Sequence, residues 1–172
     1  MMPPITIGVS ACLLGEHVRY DGEHKRDGYI CDTLGRHFSL VPVCPEVGCG
    51  LPVPREAMQL EGDPAAPRLM TCRTRIDRTE QLLAFCSTKI SELKKMHLSG
   101  FVFKERSPSC GLAGVPFHCG DNSETFTVGL FAKEMSRSFP LMPLEEAERL
   151  HNPIIRKNFI ESVIHYHCKA EQ

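Results

Sequence analysis

The chain has 172 residues, 42% of them hydrophobic, which is enough to bury a core and too few for two ordinary domains, so residues 1–172 are expected to form one unit. Charged residues make up 24% and the formal net charge is −1, so the basic excess that marks most nucleic-acid binders is missing. No stretch approaches the roughly 18–20 apolar residues of a membrane span, and the N-terminus MMPPITIGVSACLL lacks a basic leader, which predicts a soluble, cytoplasmic protein with no membrane partner.

Ile5 to Val9 is a short apolar run with β-branched residues that leads into Ser10-Ala11-Cys12-Leu13-Leu14-Gly15, the pattern of a buried strand entering a loop. Tyr29 to His37 has room for one or two helical turns. A second apolar run, Phe38 to Val43, ends directly at Cys44-Pro45-Glu46. Leu51 to Pro67 is rich in Pro and Gly and reads as loop. Asp77 to Leu98 is the strongest helix, with Leu83, Cys86, Ile90, Leu93 and His97 near the 3.6-residue period and Gly100 placed to cap its end.

Phe101-Val102-Phe103 reads as a third strand, running into Lys104-Glu105-Arg106-Ser107-Pro108-Ser109-Cys110. Phe126 to Phe139 has helical character, Phe139 to Pro143 is expected to be a short edge strand, and helices follow at Leu144–His151 and Pro153–His167. Strands alternating with helices predict an α/β fold, an open and mostly parallel sheet with helices on both faces in a Rossmann-like, three-layer arrangement. In such a sheet the carboxyl ends of the strands share one edge, where ligands bind. Each of the first three strands runs within a few residues into a loop carrying Cys12, Cys44 or Cys110.

Nine cysteines, an odd number without a secretion signal, argue against a disulfide scaffold and leave core thiols, a nucleophile or a metal site. Three thiolates on one rim, with no fourth ligand at metal spacing, suit a [4Fe-4S] cluster with one iron left open. A single zinc on the same thiols is the alternative metal, and Cys49 or Cys119 the alternative source of a thiolate. Cys86, on the apolar face of the long helix, reads as core, and Cys31, Cys72 and Cys168 as ordinary thiols. Arg19, Tyr20 and Asp21 after the first cysteine loop, and Lys104 before the third, are candidates to orient a substrate or to form structural ion pairs.

The stretches SACLLGEHVRYDG, PVCPEVGCGLPVPRE and KERSPSCG, with the closing RLHNPIIRKNFIESV, resemble the thiouracil desulfidase family of small bacterial iron–sulfur proteins. The resemblance implies Cys12, Cys44 and Cys110 as cluster ligands and Glu46 and Ser107 as catalytic residues. It implies a non-redox reaction in which the open iron takes the soft thiocarbonyl sulfur, water attacks the polarised carbon with help from Glu46, and sulfide is released. A cluster of this kind should be damaged by oxygen. The expected substrate is a small thiolated pyrimidine of the 2- or 4-thiouracil type, with 4-thiouridine, free or in tRNA, as the alternative that near-neutral charge disfavours. Longer members carry an added C-terminal domain that this chain, ending at Gln172, is expected to lack. A non-enzymatic iron–sulfur carrier or redox sensor is the competing class, and it has no use for Glu46 or Ser107. Glu46 as a helix cap and Ser107 as a turn former are the structural alternatives.

Overall fold

The computed structural model describes residues 4–120 and 124–170. Residues 1–3, where the N-terminal stretch begins, lie outside them. The first apolar run is strand β1 (Thr6–Ser10), followed by a single 3₁₀ turn (Ala11–Leu14). A wide helical turn (Ile30–Leu34) continues into α1 (Gly35–His37) and then β2 (Ser39–Val43). A four-residue helix α2 (Pro45–Gly48) starts at once, with Cys44 at its N-cap and Pro45 in its first turn. Strands β3 (Met58–Asp63) and β4 (Ala66–Thr71) precede the long helix α3 (Thr79–Lys95) and β5 (Phe101–Phe103). The chain continues through β6 (Val115–His118), β7 (Glu124–Thr127), α4 (Leu130–Ser138), β8 (Leu144–Glu146) and α5 (Pro153–Ala170).

Two sheets result. One is wholly parallel in the order β2-β1-β5-β8; the other is mixed, in the order β4-β3-β6-β7. Alternation along the parallel strands sends side chains to both faces. Ile7, Val9 and Val102 pack with Ile30, Leu34, Phe159 and Val163 from the helical turn and α5. Phe101 and Phe103 go the other way, against Leu82, Cys86, Ile90 and Leu93 of α3, Phe131 and Met135 of α4, and Leu60, Leu69 and Phe117 of the mixed sheet. Gly8 permits this layer to close, because a Cβ there would lie 2.3 Å from the Phe101 ring. Cys86 is a core thiol as expected, 1% exposed, and burial pushes its pKa up to about 12.

Four local expectations are corrected. Leu51–Pro67 is not all loop, since β3 begins at Met58 and pairs with β4 in a hairpin; Pro67 is tolerated because β4 is an edge strand. The edge strand expected at Phe139–Pro143 lies instead at Leu144–Glu146, where a helix was expected, its ladder with β5 opening at the Pro143 carbonyl. Phe126–Phe139 divides, with β7 hydrogen-bonded to β6 and helix only from Leu130. The long helix ends at Lys95, and His97 (φ +52°) makes the left-handed exit assigned to Gly100. Among the described residues no helix is long and apolar enough to cross a membrane.

Candidate active site

The carboxyl ends of β2, β1 and β5 are neighbours, so the loops leaving them share one edge of the parallel sheet. Together with the segment around Arg55 they enclose a cavity of about 420 Å³. Cys12, Cys44, Cys110, Glu46, Ser107, Arg19 and Lys104 all line it. Asp21 does not: its exposed carboxylate accepts the Glu23 N–H at 3.0 Å and faces Arg19 Nε at 3.4 Å. Cys49 and Cys119 also lie off the cavity wall, with Cys49 donating to the Glu46 carbonyl and Cys119 beside Thr125.

Burial pushes the Cys12 thiol up to about 11, with Cys44 adding to the rise and Lys104 and Arg19 opposing it. Cys44 is raised chiefly by burial, and Cys110 by burial and then by Cys44. The mutual effect marks three thiols close enough to feel one another's charge. Among the described residues no group of three or more His, Cys, Asp and Glu forms a ready single-ion site. The three soft donors instead face a shared volume, and a thiol set of this chemistry fits an iron–sulfur core.

Glu46 sits in the first turn of α2, yet its carboxylate is not a cap. Oε2 accepts Arg55 Nε at 2.8 Å and Nη2 at 2.6 Å, and Oε1 accepts the Ser109 hydroxyl at 2.9 Å. Arg55 also donates to the carbonyls of Val18 and Pro52, while its own N–H meets the Tyr20 carbonyl at 2.8 Å. One residue therefore fastens the first cysteine loop to the helix after the second cysteine. Neither Arg55 nor Ser109 was singled out in the sequence, although both fall inside the motifs PVPRE and SPSCG.

Ser107 does form a turn. Its Oγ accepts the N–H of Cys110 at 3.1 Å and of Ser109 at 3.3 Å, and it also lies 3.1 Å from Ser109 Oγ. Downstream, Glu146 at the end of β8 accepts the N–H groups of Leu112 and Ala113, which fixes the chain just past Cys110. Earlier in the same loop Lys104 Nζ meets Glu105 Oε1 at 2.5 Å. Burial raises the Glu105 carboxyl, but hydrogen bonds from Lys104 and from the backbone, together with the Lys104 charge, outweigh it and hold the group below its ordinary range. Glu105 Oε2 and Arg19 Nε are buried without a hydrogen bond, Arg19 Nε having only its ion pair with Asp21 at 3.4 Å.

This arrangement defines a class: an α/β protein in which adjacent parallel strands deliver three thiols, a clamped carboxylate and a serine turn to one pocket. The chain belongs to the 2-thiouracil desulfurase family, whose model matches residues 7–147. Among solved structures it is similar to the [4Fe-4S]-dependent thiouracil desulfidase TudS, at 26% identity over 90% of this chain and 98% of that one, with a TM-score of 0.71. No curated protein sequence matches it.

Proposed function

We propose that the protein removes sulfur from a small thiolated pyrimidine of the 2- or 4-thiouracil type, yielding the oxo compound and sulfide with no net electron transfer. Cys12, Cys44 and Cys110 would hold a [4Fe-4S] cluster. When bound, the cluster supplies an open, Lewis-acidic iron for the soft thiocarbonyl sulfur. The observation that carries this reading is that the three thiols, Glu46 and Ser107 line one cavity in a chain of the 2-thiouracil desulfurase family.

Each protein group then has a task. The buried carboxylate of Glu46 takes a proton from the attacking water, a role that suits a group held rigidly beside the reacting centre. Ser107 offers a hydroxyl at the same wall. Arg19 and Glu105, which also line the cavity, offer a donor and an acceptor of the kinds that complement the alternating C=O and N–H edge of a pyrimidine. Arg19 and Lys104 also place positive charge near Cys12 that favours its thiolate.

The test is anaerobic reconstitution with iron and sulfide, followed by turnover on 2-thiouracil, 4-thiouracil and thiolated tRNA. Sulfide release from a free base at about four irons per chain is expected. Turnover on tRNA alone would move the substrate to RNA, and release from none of the three would remove the activity.

A further inference from the structure

We propose that Ser109 is the link through which protons pass between Glu46 and Ser107, a third functional side chain of the reaction proposed above, on which this reading rests. Ser109 is 2% exposed and lines the cavity. Its hydroxyl proton has three acceptors in reach, Glu46 Oε1 at 2.9 Å, Ser107 Oγ at 3.1 Å and Cys110 Sγ at 3.8 Å. The short bond to a charged carboxylate oxygen wins over one to a neutral hydroxyl and over a long one to sulfur. With that proton committed, the contact of 3.1 Å between the two serine oxygens requires Ser107 as donor and Ser109 as acceptor. Two backbone N–H groups already occupy the lone pairs of Ser107 Oγ, which favours the same direction. At rest the chain therefore runs Ser107 O–H to Ser109 Oγ, and Ser109 O–H to Glu46 Oε1.

Arg55 decides which carboxylate oxygen works. Oε2 takes both Nε and Nη2 of the guanidinium, so Oε1 is the oxygen left to receive a proton from water. Once Oε1 is protonated, the chain reverses. Ser107 gives its O–H proton to the departing sulfur, the lone pair this frees takes the proton of Ser109, and Oε1–H passes its proton to Ser109 Oγ in turn. Each hydroxyl gains one proton and loses one, and the carboxylate is restored. The second proton of the water is shed from the new C–O group as the C–S bonding pair leaves with sulfur, and it follows the same route. Water and the thiocarbonyl compound become the carbonyl compound and hydrogen sulfide, with no oxidant or reductant.

The backbone holds Ser109 in place for this. Its carbonyl accepts the N–H of Phe131 at 2.9 Å and of Ala132 at 3.2 Å, and the Pro108 carbonyl accepts Leu130 N–H at 3.1 Å. The N-terminus of α4 thus fixes the loop, leaving the hydroxyl rotor as its moving part.

The experiment compares wild type, Ser109→Ala and Ser109→Thr after anaerobic loading. Iron and labile sulfide per chain, and the calorimetric dissociation constant for uracil, are expected to match in all three. For Ser109→Ala, kcat should fall by about 10²- to 10⁴-fold, the ordinary worth of a positioned proton-transfer group, with KM little changed. Ser109→Thr, which keeps the hydroxyl, should recover most of it. The dependence of kcat on the D₂O fraction should be curved in wild type, where several protons move together, and lose that curvature in Ser109→Ala. An active wild type with equally fast Ser109→Ala overturns the relay and leaves the activity standing. Loss of iron in step with activity makes Ser109 structural and also overturns it. A wild type that releases no sulfide overturns activity and relay together.

Discussion

Arg55 and Glu46 are nine residues apart, and their side chains are only 7% and 11% exposed. Removing two charges from water costs several kcal/mol per ion, and only good geometry with further hydrogen bonds returns it. Here both carboxylate oxygens are occupied, and the rest of the guanidinium reaches the Val18 and Pro52 carbonyls. Arg55→Met would leave a buried carboxylate without its ion partner, so urea unfolding should show a loss of about 3–5 kcal/mol. Adding Glu46→Gln should restore much of it, because the stranded charge is then gone. A loss below about 1 kcal/mol would mean that the pair behaves as an exposed one. The cysteines were legible because each follows an apolar run; Arg55 was not, because it sits in a Pro-rich segment and its partner lies across a loop. Ser109 was hidden differently, between a proline and a ligand candidate, where a turn serine is the ordinary reading.

At the level of elements, the loop carrying Cys110 depends on α4, and α4 begins at Gly129. A Cβ at Gly129 would stand 2.7 Å from the carbonyl carbon and oxygen of Ser109, which are fixed backbone atoms rather than a yielding side chain. Its own N–H meets the Gly111 carbonyl at 2.7 Å. Gly129→Ala should therefore push the helix off the loop, lowering the thermal midpoint and removing hydrogen-exchange protection at Leu130, Phe131 and Ala132. Unchanged protection would show that the loop does not lean on the helix. None of this was visible beforehand, since the helical signal from Phe126 onward concealed a strand end and a glycine start. The hairpin of β3 and β4 was concealed by Pro and Gly, residues that an edge strand and a tight reversal accept. Runs with a clear period fared better: α3, α5 and the three strands before the cysteines form close to where their apolar patterns place them.

Across the molecule, the parallel sheet was legible from alternating strands and helices, whereas the mixed sheet was not, because its pairings are set by contacts between distant segments. β3 pairs in parallel with β6 across more than fifty residues, and no local pattern announces it. The consequence for the cavity is that its walls come from four separate stretches, around Cys12, Cys44, Arg55 and Cys110, joined mainly through Arg55 and Ser109. A group bonded to all three thiols would tie the carboxyl ends of β2, β1 and β5 directly, and the unfolded chain could not gather the same ligands. Binding that favours only the folded state at a hundred times its dissociation constant adds about 2.7 kcal/mol. For a chain of this length that is a rise of about 5–10 °C in the thermal midpoint. Anaerobic loading should produce this rise, and exposure to air or to an iron chelator should reverse it while far-ultraviolet circular dichroism stays the same, since Cys12 and Cys110 sit at the margins of apolar cores built mainly from Ile, Leu, Val and Phe. Cys12→Ala should show a smaller rise or none. Equal midpoints with and without iron and sulfide would mean that the three thiols do not share one bound group, and the convergence of strand ends would then need another purpose.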